Sequence, residues 1–202
     1  ENFVASAENI DKRTQVSQLA NGMKLALLPK TTRGGTVALN LTIRYGSLDS
    51  LKGKALTAEL AGSMLNRGTE KLSFAQFNDE LNKLKTKLSI SGTATAASIE
   101  VETVKESLPR VLELIHDALR KPAFSESEFS TLISQSLAQL EESRKEPQAI
   151  ARDIGRKQMN NYPAGDPRAH LSLDERIAQL KAAKLADLKA FWQEFYGADN
   201  AD

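Results

Sequence analysis

Cysteine is missing from the 202-residue sequence. Its absence rules out thiol catalysis, cysteine-held zinc and disulfide staples together, and leaves either redox compartment open. No apolar run approaches the ~20 residues of a membrane-spanning helix. The start at Glu1 carries neither an initiator methionine nor a signal-peptide pattern, as expected of a piece processed or excised from something longer. An excess of charge of one sign is also lacking, because 27 Lys and Arg stand against 26 Asp and Glu and the two signs are interspersed. The one-sided field that nucleic acid demands is therefore not built, and the basic cluster Lys83, Lys85 and Lys87 reads as a solvated face. No G-x-S-x-G elbow and no phosphate-binding P-loop occur, which removes serine hydrolysis of that type and P-loop nucleotide chemistry. Internal repeats and low-complexity tracts are absent.

What is present is an ordinary globular composition, 41% hydrophobic and 26% charged, in a chain long enough to bury a core without staples. Residues 1–12 are polar without a sustained period and read as a linker or arm, and 13–202 as a single domain. Two strand-like runs, Thr14 to Ala20 and Met23 to Pro29, flank Asn21-Gly22, the signature of a hairpin with a type I′ turn. From Val37 to Tyr45 apolar residues alternate with Ala38, Asn40, Thr42 and Arg44, which predicts a half-buried strand. Strands are also predicted over 88–91 and 95–103, with Gly92 at the turn between them.

Three- and four-residue apolar spacing predicts helices over 54–66, 74–85, 106–120, 126–145, 148–160, 173–181 and 185–196. Ser73 with Gln76, Ser125 with Glu128 and Ser172 with Glu175 match the capping box, and Pro122 and Pro147 separate successive helices. Strands with one apolar face need a covering layer, and amphipathic helices supply it. The expected fold is α+β, a two-layer sandwich with a largely antiparallel sheet and helices packed on one face. Strict βα alternation is missing, which argues against a Rossmann or barrel fold.

The most informative stretch runs from Gly53 through Ala55, Leu56, Glu59 and Leu60 to Met64, Leu65 and Arg67-Gly68-Thr69, on a helix that follows a strand ending in Arg44-Tyr45-Gly46. It resembles the pitrilysin/insulinase zinc metallopeptidases, in which such a helix carries an inverted zinc motif H-x-x-E-H and a Gly-Thr follows. Positions i and i+4 share a helix face, so two imidazoles grip one Zn²⁺ while the intervening Glu polarises the metal-bound water. Laid on that pattern, the two His positions fall on Leu56 and Leu60, and Glu59 takes the place of the catalytic Glu. The family's further Glu ligand aligns with Ala138 or Gln139, with Glu141 and Glu142 one turn on. The resemblance extends over most of the chain: the Asn-Gly hairpin, the lead Thr32-Arg33-Gly34-Gly35, the phrase Pro122-Ala123-Phe124, and the closing Phe191-Trp192, Phe195-Tyr196 and Asn200-Ala201.

The remaining candidates have plainer readings. Glu59 is either a relic of the catalytic base or a helix-favouring residue whose carboxylate meets solvent or a neighbouring Lys. Glu113 and His116 make an E-x-x-H spacing, but di-iron sites need a second copy, so His116 reads as a boundary residue beside an apolar stripe. His170 reads as surface. Phe191, Trp192, Phe195 and Tyr196 read as the end of a helix anchored in the core.

The resemblance implies a non-catalytic domain with no catalytic residue and no metal ligand of its own. It would be the first half of the inactive portion of a longer zinc metalloendopeptidase, in the periplasm or secreted. Zinc belongs to the catalytic half, in the same or a partner chain. This domain would contribute an interface with that half, a polar wall facing peptide substrate, and sheet-edge pairing with an extended peptide. The alternatives are an assembly subunit of the same fold with no peptide role, or an independent metal hydrolase using another site.

Overall fold

The computed structural model describes residues 3–197, and Asn200-Ala201 lies outside them. The chain opens with α1 (Ala7–Arg13), where the sequence suggests only a linker. Ser6 caps the helix by accepting a hydrogen bond from the Asn9 N–H at 3.2 Å, which offsets the weak apolar period, but no residue of α1 is buried. A hairpin of β1 (Gln15–Gln18) and β2 (Lys24–Leu27) follows, with Gln15 opposite Leu27 and Gln18 opposite Lys24. Its turn is not type I′. Asn21 keeps a negative φ, only Gly22 is left-handed at φ 88°, and Leu19 N–H bonds Met23 C=O at 2.8 Å, the pattern of a three-residue loop closed by a glycine bulge.

The main sheet contains β3 (Thr36–Arg44), β4 (Lys87–Gly92) and β5 (Ala96–Val104) in the order β3-β5-β4, antiparallel throughout. The registers place Leu39 opposite Val101 and Ile43 opposite Ala97 on one side of β5, and Ile90 opposite Ile99 on the other. One face of the sheet is therefore apolar, and the other carries Asn40, Thr42, Ser98, Glu100 and Glu102. The helices are α2 (Ala55–Leu65), α3 (Phe74–Lys83), α4 (Leu108–Arg120), α5 (Glu126–Ser143), α6 (Pro147–Met159), α7 (Leu173–Ala182) and α8 (Leu185–Phe195). α2 and α3 pack on β4 and α4 on β5, covering the apolar face, while α7 and α8 pack on α2. The result is the α+β sandwich that the alternation and helical periods imply.

α2 lies closest to the sheet, with Ala58, Ala61, Met64 and Leu65 completely buried. Gly62 and Gly92 make this approach possible. A Cβ added at Gly62 would stand 2.3 Å from Gly92 N, and one at Gly92 would stand 2.2 Å from the Ala58 carbonyl oxygen. Gly92 is thus the last residue of β4 and not the turn residue. The turn falls at Thr93, whose hydroxyl donates to Ala96 C=O at 3.0 Å. Beyond α2, Asn66 takes both backbone groups of Ile90: Oδ1 accepts from its N–H at 2.9 Å and Nδ2 donates to its carbonyl. That stretch of the β4 edge is consequently not free to pair with an extended peptide.

α8 closes the core through the aromatic residues read from sequence as an anchor. Phe191, Phe195 and Tyr196 are buried against Tyr45, whose ring meets that of Phe191 edge-on at 5.0 Å. Tyr45 and Tyr196 share a buried hydroxyl–hydroxyl hydrogen bond of 2.7 Å. Burial pushes the Tyr45 phenol far above its ordinary range and raises Tyr196 to about 12, so both are neutral at physiological pH. Trp192 donates its indole N–H to the Leu119 carbonyl at 2.8 Å and packs on Phe124. Two of the three expected capping boxes form, at Ser73 and Ser172. The third does not: Glu128 pairs with Arg67 at 3.0 Å, and the Ser125 hydroxyl bonds that of Ser127 at 2.8 Å.

Candidate functional site

The positions to which the sequence pattern assigns metal chemistry converge in space. Leu56, Glu59 and Leu60 lie one turn apart on α2 and line a cavity of about 270 Å³ whose opposite wall, on α5, includes Leu132, Ser136, Gln139 and Leu140. Gln139 therefore faces the motif helix across the cavity, whereas Ala138 is exposed and does not line it. Glu141 and Glu142 bond Arg144 at 3.3 Å and Lys145 at 3.0 Å along their own chain segment, away from the cavity. No shift of register brings them in.

The two histidine positions are occupied by aliphatic side chains, and the carboxylate between them is already paired. Leu56 and Leu60 are 4% and 5% exposed and belong to the core, so the aliphatic side chains are held by packing. Glu59 meets Arg176 of α7, with Nη2 donating to Oε2 at 2.5 Å and Nη1 to Oε1 at 3.4 Å. This is the bidentate geometry that a guanidinium offers a carboxylate. The partner is neither solvent nor the neighbouring Lys that the sequence suggested. It is supplied from 117 residues away, and no local pattern signals it.

For the zinc ion that the resemblance implies, these residues do not fit. Leu has no lone pair to give, Gln139 offers only a neutral amide, and both oxygens of Glu59 are engaged by a cation. Among the described residues no three His, Cys, Asp or Glu side chains are grouped so as to hold a metal.

The other candidates lie apart from this cavity. Glu113 bonds Arg110 at 2.6 Å, and His116 is largely exposed beside Asp117. His170 is not plain surface. Its Nε2 stands 2.8 Å from Asp153 Oδ1 of α6, and Asp153 also accepts from the Leu173 N–H at 3.2 Å. This half-buried pair lines a second cavity, of about 440 Å³, together with Leu140, Ser143, Arg152, Arg156 and Arg176. Three of these, Leu140, Ser143 and Arg176, also line the motif cavity, so the two adjoin.

Phrases that carry the resemblance also meet in space. Thr69 bridges Pro122, Ala123 N–H bonds Gly68 C=O at 3.2 Å, and Glu70 N–H bonds Lys121 C=O at 2.8 Å. The Gly-Thr after the motif helix is thereby stitched to the Pro-Ala-Phe phrase ahead of α5, and Arg67 adds its bonds to Glu128 and Gln135. These ties set α5 opposite α2.

The sequence profile of the insulinase family (Peptidase family M16) matches residues 25–170, well over half of the chain. The chain belongs to this peptidase family. It is 23% identical over 138 residues to mitochondrial-processing peptidase subunit alpha of Solanum tuberosum, spanning 68% of this chain and 27% of that one. Its fold is similar to a crystal structure of a peptidase M16 inactive domain from Pseudomonas fluorescens, with a TM-score of 0.76 and 22% identity, over 93% of this chain and 45% of the other. Its fold is also similar to the crystal structure of a protease from Helicobacter pylori, with a TM-score of 0.65 and 18% identity, over 93% of this chain and 44% of the other. The chain thus spans less than half the length of each of these proteins.

Proposed function

We propose that this M16 chain is a non-catalytic domain, one wall of a peptide-enclosing chamber completed by a zinc-bearing peptidase half in the same or a partner chain. The observation that carries this reading is the occupancy of the motif cavity. The i and i+4 positions are core leucines, the facing α5 position is Gln139, and the acidic residue between them is clamped by Arg176. An arrangement of that kind cannot assemble or activate a metal-bound water. The polar outer sheet face, with Asn40, Glu100 and Glu102, supports a surface that meets solvent and peptide. Zinc and bond cleavage belong to the other half, and the periplasm or the exterior is the compartment we assign to the parent. The test is cleavage of a fluorogenic peptide by the zinc-bearing half with and without this chain. Cleavage that rises or changes peptide selectivity when the chain is added supports the chamber reading. Cleavage indifferent to the chain favours an assembly subunit without a peptide role.

A further inference from the structure

The motif cavity and its neighbour differ in chemistry at their two ends. The motif end is floored by Leu56, Leu60, Leu132 and Leu180, while the far end presents Arg152 and Arg156 from successive turns of α6. The carboxylates along the path are already engaged, Glu59 by Arg176 and Asp153 by His170. The nearby Glu175 is held by Lys157 at 2.8 Å and Asp174 by Arg144 at 3.1 Å. Arg152 donates Nε to the Gln148 carbonyl of its own helix at 3.2 Å, and among the described residues neither Arg152 nor Arg156 has a carboxylate partner. Two guanidinium groups without a salt-bridge partner thus stand beside the single carboxylate of Asp153 at one end of a path whose other end mixes leucines with Ser63, Ser136 and Gln139.

We infer that these adjoining cavities form a groove for an acidic peptide segment, with an apolar side chain against the half-buried Leu132 and Leu140 and a carboxylate on Arg152 and Arg156. The choice of a peptide as occupant rests on the chamber-wall reading, and the charge and apolarity of the groove name its class. Guanidinium groups favour carboxylates through paired, parallel N–H donors, and a leucine-lined floor adds burial without sequence specificity. Arg176 separates the two ends. Its bond to Glu59 leaves it locally neutral, so the net positive charge of the two cavities comes from Arg152 and Arg156 against Asp153 on α6.

The experiment is fluorescence anisotropy on the full 202-residue chain with labelled hexapeptides. One alternates leucine with glutamate, one leucine with lysine, and one serine with glutamate. The first is expected to bind about tenfold tighter than the second, with the preference falling as salt rises. In Arg152→Glu/Arg156→Glu the preference should disappear or invert, and in Arg152→Lys/Arg156→Lys it should persist. All four substitutions lie on the exposed side of α6, where none of the residues is buried. Equal binding of the glutamate and lysine peptides, or a preference unmoved by charge reversal, overturns the inference. Displacement by inorganic phosphate, with the serine peptide binding as well as the leucine one, overturns it in favour of a general anion site. Stimulation of the zinc-bearing half together with charge-blind binding sinks the groove alone, whereas acid-selective binding without any effect on that half sinks the chamber reading and leaves the groove.

Discussion

Gly62→Ala is the substitution in which the geometry speaks most directly to stability. The added methyl would stand 2.3 Å from Gly92 N, 2.6 Å from Gly92 Cα and 2.9 Å from Ser91 C, all of them backbone atoms that cannot rotate away. Restoring ordinary contact requires α2 and β4 to separate by roughly 1 Å, which loosens the interface around Met64, Leu65 and Ile90. Overpacking of this kind costs about 3 kcal/mol. In a domain of this size that lowers Tm by roughly 6–12 °C. Gly155→Ala is the matched control, since nothing lies within 4 Å of its Cβ position and it sits inside α6 with an ordinary helical φ. There the methyl should stabilise by about 0.4–1 kcal/mol, because alanine has less backbone freedom to lose. The assay is thermal and urea unfolding followed by the fluorescence of the single tryptophan, Trp192. A Gly62→Ala protein melting within a degree of the parent, beside a Gly155→Ala protein that melts higher, would refute the close approach of α2 to the sheet.

Breaking the Glu59–Arg176 pair should cost little. Both side chains are about one third exposed, so a double-mutant cycle with Glu59→Gln and Arg176→Met should return a coupling of about 0.5–1 kcal/mol, and additive effects would mean that the pair does not form in solution. Leu56→His/Leu60→His/Gln139→Glu places two imidazoles and a carboxylate around one cavity. The metal-free variant should be less stable than the parent by about 3 kcal/mol or more, and it should take up one zinc per chain and melt higher with it, whereas no uptake would mean that these positions do not face one another. Glu175 is held down to about 2 by its hydrogen bonds from Lys157 and the Ser172 N–H. A depressed carboxyl pKa stabilises the fold above the ordinary carboxylate range, and the contribution is lost as pH falls towards 2. Carboxyl NMR titration should therefore place the Glu175 midpoint near the lower value, with Lys157→Ala moving it up, and a midpoint in the ordinary range in the parent would contradict the contact.

The sheet was legible because its signal is local: Val37 to Tyr45 alternate with period two, and the alternation survives as an apolar inner and a polar outer face. The helix boundaries were likewise close to the stretches marked by Ser73, Ser172, Pro122 and Pro147. Features that depend on distant partners were not legible. Glu128 has the right spacing from Ser125 for a capping box but is drawn away by Arg67, 61 residues earlier. Gly92 looks like a turn residue in the chain, yet its lack of a side chain answers to the Ala58 carbonyl on another element. The hairpin turn was misjudged because Asn-Gly suits more than one loop length, and only the φ of Asn21 separates them. In the motif cavity the positions of Leu56, Glu59 and Leu60 were visible through the resemblance to the inverted zinc motif, and helix spacing puts them on one face. Arg176 was not visible, and neither was the contact of His170 with Asp153, because tertiary packing brings each of these pairs together.

The most direct measurement is the zinc content of the purified chain by elemental analysis, taken with its cleavage of a fluorogenic peptide in the absence of any other M16 half. A non-catalytic wall domain should carry zinc far below one equivalent after dialysis against micromolar zinc and should leave the peptide intact with or without chelator. One tightly held equivalent, or cleavage that a chelator abolishes and zinc restores, would contradict it and place a working site among residues such as Glu59, Glu113, His116 and His170.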